Sequence, residues 1–295
     1  MNKKVVVFGE MLWDCLPSGA VPGGAPMNVA LNLHKLGLQS KLISAVGEDS
    51  DGKALLDFLG ASALPLDLIQ VLADQPTSKV LVDDSDPENM KYEIVAPVAW
   101  DFITVNQANI QAVSEADAFV FGSLGVRNPK SFSCLMELLP LAKLRVFDVN
   151  LRPPFVDLKQ IESLFTQTDI LKINEEELET LADYFGLKPE ITEVAGFLME
   201  EFNLRLVCVT LGAKGAFLQV KDTGMRHKGY RVKVQDTIGA GDAFLSGLIY
   251  QQLKGSDLVK TLEFSSKLGA FVASQKGGTQ EYTLEQIESL DLEAN

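Results

Sequence analysis

Residues 236–244 read DTIGAGDAF. Gly239 and Gly241 flank Ala240, and Asp242 follows at once. In a turn that leads into a helix, successive glycines let backbone N–H groups converge. The helix adds its own unpaired N-terminal N–H groups and the positive end of its dipole. The apolar spacing of AFLSGLIYQQL starts that helix near Gly241. The backbone of residues 239–242 then aims N–H groups at one point and holds an anion without any cationic side chain. Asp242 sits where a helix end keeps a carboxylate ionised. An ionised base beside an anion hole suits phosphoryl transfer: the carboxylate takes a hydroxyl proton, and the N–H groups hold the charge of the moving group. A plain helix cap uses the same residues, so the motif alone leaves both readings open.

Two rival phosphate loops fail. GEDSDGKA, residues 47–54, has the Gly-x4-Gly-Lys spacing, but Ala54 stands where a magnesium-binding hydroxyl is needed. Glu48, Asp49 and Asp51 would repel a phosphate, so the stretch reads as a solvated turn before a helix. A dinucleotide-binding reading of GAGDAF ends on Phe244 instead of a small residue and falls near the C-terminus.

Working outward, short β-rich runs alternate with helical patterns. KKVVVFGE, KLISAVG, ADAFVFGSL, LRVFDVN, DILKIN and LRLVCVTLG read as buried strands. APMNVALNLHKLG, PKSFSCLMELLPLAK, LKQIESLFTQ and EEELETLADYFG carry helical spacing, and the part after residue 239 is nearly all helix. The alternation predicts βαβ units and an α/β fold with a mostly parallel sheet. Residues 77–101 break the rhythm: KVLVDD and KYEIVAPV flank the turn-rich SDPENM, which reads as an antiparallel hairpin and a candidate lid.

The chain has 295 residues, 46% of them hydrophobic, and a formal net charge of -14. That acidity argues against a nucleic-acid footprint or a polybasic membrane anchor. No apolar run approaches the ~18 residues of a membrane span. Cys15, Cys134 and Cys208 are widely spaced and read as free thiols in a reducing compartment, so the expected location is cytoplasmic.

A second glycine motif, VPGGAPMNVALNLHKLG at residues 21–37, joins two glycines to Asn28 on an opening helix. Together with DTIGAGDAF it resembles the two signatures of the ribokinase-like (PfkB) family of carbohydrate kinases, and the similarity runs from about Val5 to about Glu281. FGEMLWD, YEIVAPVAWD, FGSLGVR and DVNLRPPF resemble the fructokinase branch most. The resemblance implies a three-layer sandwich with a mostly parallel central sheet and a small β-sheet lid. It implies one kinase domain over residues 1–295, with lid segments at about 11–20 and 78–99. By that resemblance Asp242 is the catalytic base, and Gly239, Ala240 and Gly241 form the anion hole with it. Asp14, Gly23, Gly24 and Asn28 match sugar-binding positions, and Arg152 faces the phosphates or the sugar. Asn174 and Glu177 match the Asn-x-x-Glu pattern that positions magnesium and its waters beside the ATP phosphates. Thr210, Gly212 and Lys214 match a nucleotide-binding turn, with adenine between residues 212–215 and 266–277.

Some positions depart from the pattern. Ser266 stands where the family often has an asparagine near adenine. Asp236 and the carbonyl of Ile238, completed by those of Val272, Gln275 and Gly277, match a monovalent-cation site, which implies K⁺; Glu281 replaces a serine ligand there. Trp13 and Trp100 fall in or beside the lid segments and are expected as an apolar wall or as core. The resemblance implies an ATP- and Mg²⁺-dependent kinase of a small sugar, with fructose first and ribose or 2-keto-3-deoxygluconate as alternatives. A non-catalytic sugar or nucleotide sensor would lack the base, and Asp242 is present. Relatives that pair through the lid imply a homodimer.

Overall fold

Runs such as VVVF and LVCV are apolar at every position, the pattern of strands covered on both faces. The structure, a computed structural model, describes residues 2–16, 19–83, 91–221, 223–278 and 280–295. Its strands are β1 Lys4–Phe8, β2 Leu12–Leu16, β3 Gly19–Gly23, β4 Gln39–Gly47, β5 Ile69–Leu72, β6 Lys79–Asp83 and β7 Lys91–Ile94. They continue with β8 Ala118–Gly122, β9 Arg145–Asp148, β10 Ile170–Asn174, β11 Leu206–Thr210, β12 Ala216–Val220 and β13 Thr223–His227. The helices are α1 Ala25–Lys35, α2 Ser50–Ala61, α3 Gln107–Glu115, α4 Pro129–Leu138 and α5 Leu158–Phe165. After them come α6 Glu175–Phe185, α7 Ile191–Phe202, α8 Ala240–Lys254, α9 Leu258–Ala273 and α10 Leu284–Ser289.

Nine strands form one sheet in the order β13-β12-β11-β10-β9-β8-β1-β4-β5. It is parallel apart from the hairpins β11–β12 and β12–β13. Alternation along each strand divides the core. Phe8, Phe119, Phe121, Phe147 and Phe165 pack on one face, with Phe121 stacked on Phe147 at 4.9 Å. Val5, Val7, Val120, Val146 and Cys208 point to the other face, with Leu33 of α1, Leu245 of α8 and Leu268 of α9. The result is a three-layer sandwich. From β1 the chain proceeds outward to β4 and β5, then crosses back to β8 on the opposite side. Such a switch point opens a crevice at the carboxyl ends of the strands.

The two segments 11–20 and 78–99 meet in a second sheet, ordered β3-β2-β6-β7. The expected hairpin is β6–β7, antiparallel from Val80↔Ile94 to Asp83↔Lys91. Its turn, SDPENM, lies outside the described residues.

The structure adds elements the sequence did not announce: β3, β5, β12, β13, α3, α7 and α10. The helix of residues 129–143 stops at Leu138, and a tight 3-10 turn follows at Leu139–Leu141, where Pro140 cannot supply an N–H. The stretch 47–54 runs from the expected turn into α2, which begins at Ser50: Asp49 caps it, accepting from the Gly52 N–H at 2.7 Å and from the Thr77 N–H at 2.8 Å. That loop carries its own anion. No helix among the described residues is long and apolar enough to cross a membrane.

Of the two places expected for Trp100, the core is the one it takes. It is fully buried, with the Arg127 guanidinium 4.1 Å above its ring, so it packs as core and lines no cleft. Arg127 also lies 4.2 Å from the Phe155 ring, binds Asp101 through two nitrogens at 2.8 and 2.9 Å, and donates to the Val95 carbonyl just past β7. This pair roots the second sheet in the body. Removing one partner of a buried pair strands the other charge. Asp101→Leu is therefore expected to lower stability by about 3–5 kcal/mol, read from the urea midpoint. An unchanged midpoint would show that Arg127 has found another anion.

Candidate active site

Two helix starts face each other at the carboxyl end of the sheet. Gly239 caps α8 in the left-handed region, at φ 76°, and a Cβ there would stand 2.7 Å from Gly278 Cα. Only glycine fits. The helix begins at Ala240, one residue earlier than the spacing suggested. The Ala240 N–H is committed to the Thr237 carbonyl at 3.2 Å, so it leaves the expected anion hole. The N–H groups of Gly239, Gly241 and Asp242 have no acceptor among the described residues, and Gly241 is exposed. Three free donors remain for an anion.

Asp242 is half-buried. Burial pushes its pKa up to about 6, Asp148 adds to the rise, and Asn28, Lys172 and Arg152 oppose it. The helix end alone does not keep this carboxylate strongly acidic, because desolvation outweighs it. Asn28 reaches across from α1: its Nδ2 donates to Asp242 Oδ2 at 2.8 Å. The position expected to hold a sugar, Asn28, thus holds Asp242 first. Its Oδ1 is buried without a partner.

Gly23 and Gly24 serve protein contacts. A Cβ on Gly23 would overlap the Asp14 carboxylate, which crosses it from the neighbouring strand. A Cβ on Gly24, at φ +112°, would come within 2.6 Å of the Glu10 carbonyl. Asp14 lies on β2 of the small sheet; burial raises its pKa, and the charge of Arg152 opposes the rise. Arg152 is exposed and binds its neighbour's carbonyl, Leu151 O, at 3.1 Å.

Three residues escaped the sequence reading. Glu10, at the end of β1, is 3% exposed; burial pushes it up to about 7, against Arg152 and Arg127, with Asp242 adding to the rise. Lys172 of β10 and Asp148 of β9 form a buried pair at 2.8 Å. The Lys172 ammonium lies 3.8 Å from where a Gly241 Cβ would stand, so the expected anion hole has a cation behind it. One signal was available: Lys172 is the single charge in the otherwise apolar strand ILKI.

On the far side of Gly241 opens a pocket of about 710 Å³. Asn174, Thr210, Gly212, Ala213, Ser266 and Ala270 are among its walls. The Ser266 Oγ is buried without a partner and fits a polar ligand atom. Asn174 and Glu177 form a reciprocal capping box on α6, with N–H···O distances of 2.8 and 2.9 Å. Glu177 is 2% exposed, and its other oxygen accepts from the Leu151 N–H, so the pair first shapes the pocket floor. Lys214 is exposed and bound to Glu175 at 2.8 Å.

At the expected cation position, Asp236 accepts from the Ile238 and Gly277 N–H groups at 2.9 and 3.0 Å and ties the two loops together. The Val272 carbonyl accepts from the Gln275 N–H, and Glu281 pairs with Lys35 at 3.2 Å. Among the described residues, no cluster of three His, Cys, Asp or Glu side chains is built to hold a metal.

A sequence profile described as pfkB family carbohydrate kinase matches residues 3–284. The chain belongs to the pfkB family of carbohydrate kinases. Fructokinase-2 of Solanum habrochaites is 30% identical over 304 aligned positions, spanning 92% of this chain and 91% of the relative. An uncharacterised sugar kinase from Pyrococcus horikoshii superposes with a TM-score of 0.83 at 29% identity, over 98% of this chain and 97% of that one. A fructokinase from Xylella fastidiosa, solved with bound ATP, gives a TM-score of 0.85 at 22% identity, over 98% of each chain. At that identity the likeness speaks for the fold.

For a carbohydrate kinase, the crossing of Asp14 over Gly23 yields a test. Gly23→Ala displaces the carboxylate while leaving the large pocket untouched. The KM for the sugar is expected to rise on the order of 10-fold, with the KM for nucleotide unchanged. An unaltered sugar KM would remove Asp14 from the binding of sugar.

Proposed function

We propose that this kinase transfers the terminal phosphoryl group of ATP to the primary hydroxyl of D-fructose, giving fructose 6-phosphate. The observation that carries the reading is the position of Asp242. It stands at the junction of the 710 Å³ pocket and the Asp14–Asn28 side, beside three unpaired N–H donors. ATP fits the large pocket, with adenine against Ala270 and Ser266 and the phosphates directed at Gly241. The sugar sits under the small sheet, which acts as its lid, with its hydroxyls on Asp14.

The step balances simply. Asp242 takes the proton of the primary hydroxyl, whose oxygen bonds to the terminal phosphorus as the bond to the ADP oxygen breaks. The N–H groups of Gly239, Gly241 and Asp242 hold the charge on the equatorial oxygens. Mg²⁺ supplies charge neutralisation when bound with ATP. The residues here suit a metal carried mainly by phosphates and waters, with Asn174 and Glu177 ordering its surroundings. K⁺ at Asp236 would add order to the loop that Asp236 already fastens.

A base that titrates near 6 fixes the direction of the pH dependence. Above that value Asp242 is ionised and accepts a proton; below it the carboxyl is protonated and the reaction stops. kcat is expected to fall as pH drops through about 6, and Asp242→Asn to lose ~10²–10⁴-fold in kcat at pH 8 with little change in sugar affinity. A folded variant that retains half of the turnover would make Asp242 a cap only.

Fructose is favoured by the fructokinase-like segments and by neutral hydroxyls suiting Asp14. A sugar acid would bring its carboxylate beside Asp14 and Glu10, an unfavourable like-charge contact in a partly desolvated site. An ADP-release assay is expected to rank kcat/KM as fructose, then ribose, then 2-keto-3-deoxygluconate. First place for the sugar acid would overturn the fructose assignment and point to Arg152 as its carboxylate clamp.

A further inference from the structure

The chemistry above uses Asp242 and backbone donors, yet the sheet beneath them contains a charge pair that stability does not require. Lys172 lies in register with Asp148 on one side and Cys208 on the other. In-register residues of neighbouring strands share a face. This face of the sheet is the one packed by α8. The Lys172 and Asp148 side chains are 7% and 8% exposed. Burying such a pair rarely gains stability over an apolar pair of similar size. Leu171 and Ile173, on either side of Lys172, show what the strand uses elsewhere.

The geometry of the ammonium is specific. It donates to Asp148 Oδ1 at 2.8 Å and to Oδ2 at 2.9 Å. An ammonium has three N–H groups, and the third has no acceptor among the described residues. The group lies behind Gly241, 3.8 Å from a Cβ built there. We propose that Lys172 is an electrostatic positioning residue for phosphoryl transfer: clamped by Asp148, it sets a fixed positive charge behind the anion-hole loop and beside Asp242.

The other groups around Asp242 do not supply this. Asn28 on α1 is a neutral donor. Asp148 on β9 and Glu10 after β1 add negative charge. Arg152, after β9, is cationic but exposed, with its nearest bond to its own chain. Glu177 of α6 acts on Lys172 and favours its charged form. Burial pushes the Cys208 thiol up to about 12, so it stays neutral and adds no charge to the row. Lys172 is the cation whose place is fixed by buried partners. A fixed charge costs no reorganisation when negative charge moves toward the loop.

The inference rests on phosphoryl transfer with Asp242 as base. If no sugar supports ADP release by the wild type, or Asp242→Asn stays active, that reading fails first. With an active wild type, the test is the pH profile of kcat for two variants with opposite expected signs. Lys172→Gln removes the cation: kcat at pH 8 is expected to drop about 10²-fold, with both KM values within about 3-fold. The acidic midpoint should move up by about one unit. Asp148→Asn removes the neighbouring anion and keeps the cation, so the midpoint should move down. Lys172→Arg should keep the wild-type midpoint. If Lys172→Gln does not fold, the direction of the Asp148→Asn shift decides alone. A wild-type midpoint in folded Lys172→Gln, or an unmoved or raised one in Asp148→Asn, would reduce the pair to a structural brace.

Discussion

One hydrogen bond of 2.8 Å, from Asn28 to Asp242, joins the two glycine-rich motifs of this chain across 214 residues. For it to form, α1 and α8 must both begin at the carboxyl end of the sheet and lie side by side on the same face. Each start needs a glycine that a side chain would spoil: Gly24 against the Glu10 backbone, and Gly239 against Gly278. The bond therefore fixes more than one side chain. It sets the relative depth of two helices, and through them the position of the loop that leaves three N–H groups unpaired.

Around that bond the protein gathers charge in a place where charge is costly. Glu10, Asp148, Glu177 and Asp242 converge on a region of low solvent access, and Lys172 and Arg127 are buried among or beside them. The partners are chosen so that no acid is relieved completely. Asp148 is neutralised by Lys172 but still raises Glu177 and Asp242. Glu10 is left with an unpartnered oxygen. Such residual imbalance is a poor way to stabilise a fold and a good way to raise a carboxyl group toward neutral pH.

The fold was largely legible because its signals are local. VVVF, ILKIN and LVCV can only be buried strands, and the helices between them repeat at three to four residues. GAVPG and IQVL were missed because short strands with glycine, proline or glutamine have no alternation to read; their place is set by pairing with β2 and with β4 rather than by a pattern of their own. The turn of residues 239–242 into a helix was legible in outline, but the loss of the Ala240 N–H to the Thr237 carbonyl was not, because a single hydrogen bond decides it. Trp100 stayed open between cleft wall and core for a similar reason: only the arrival of Arg127 and Asp101 shows that it belongs to the core. Asp14, Gly23 and Gly24 were found as a group, yet the sequence did not reveal that the glycines make room for protein atoms.

The division of labour between the two faces of the large sheet bears on how the polypeptide is made. One face is covered by helices that follow their strands closely, so it can be closed while the chain is still being extended. The other depends on α8 and α9, which begin only at Ala240, after every strand of the sheet. Until then Val5, Val7, Val120, Val146, Ile170 and Cys208 have α1 and α2 beside them but no roof over most of their surface. A nascent chain in that condition exposes an apolar sheet until those helices have been added, the kind of surface that chaperones bind. The glycine-rich loop at residues 239–241 and the missing roof arrive in the same few residues, so the loop takes its place as the apolar face is covered.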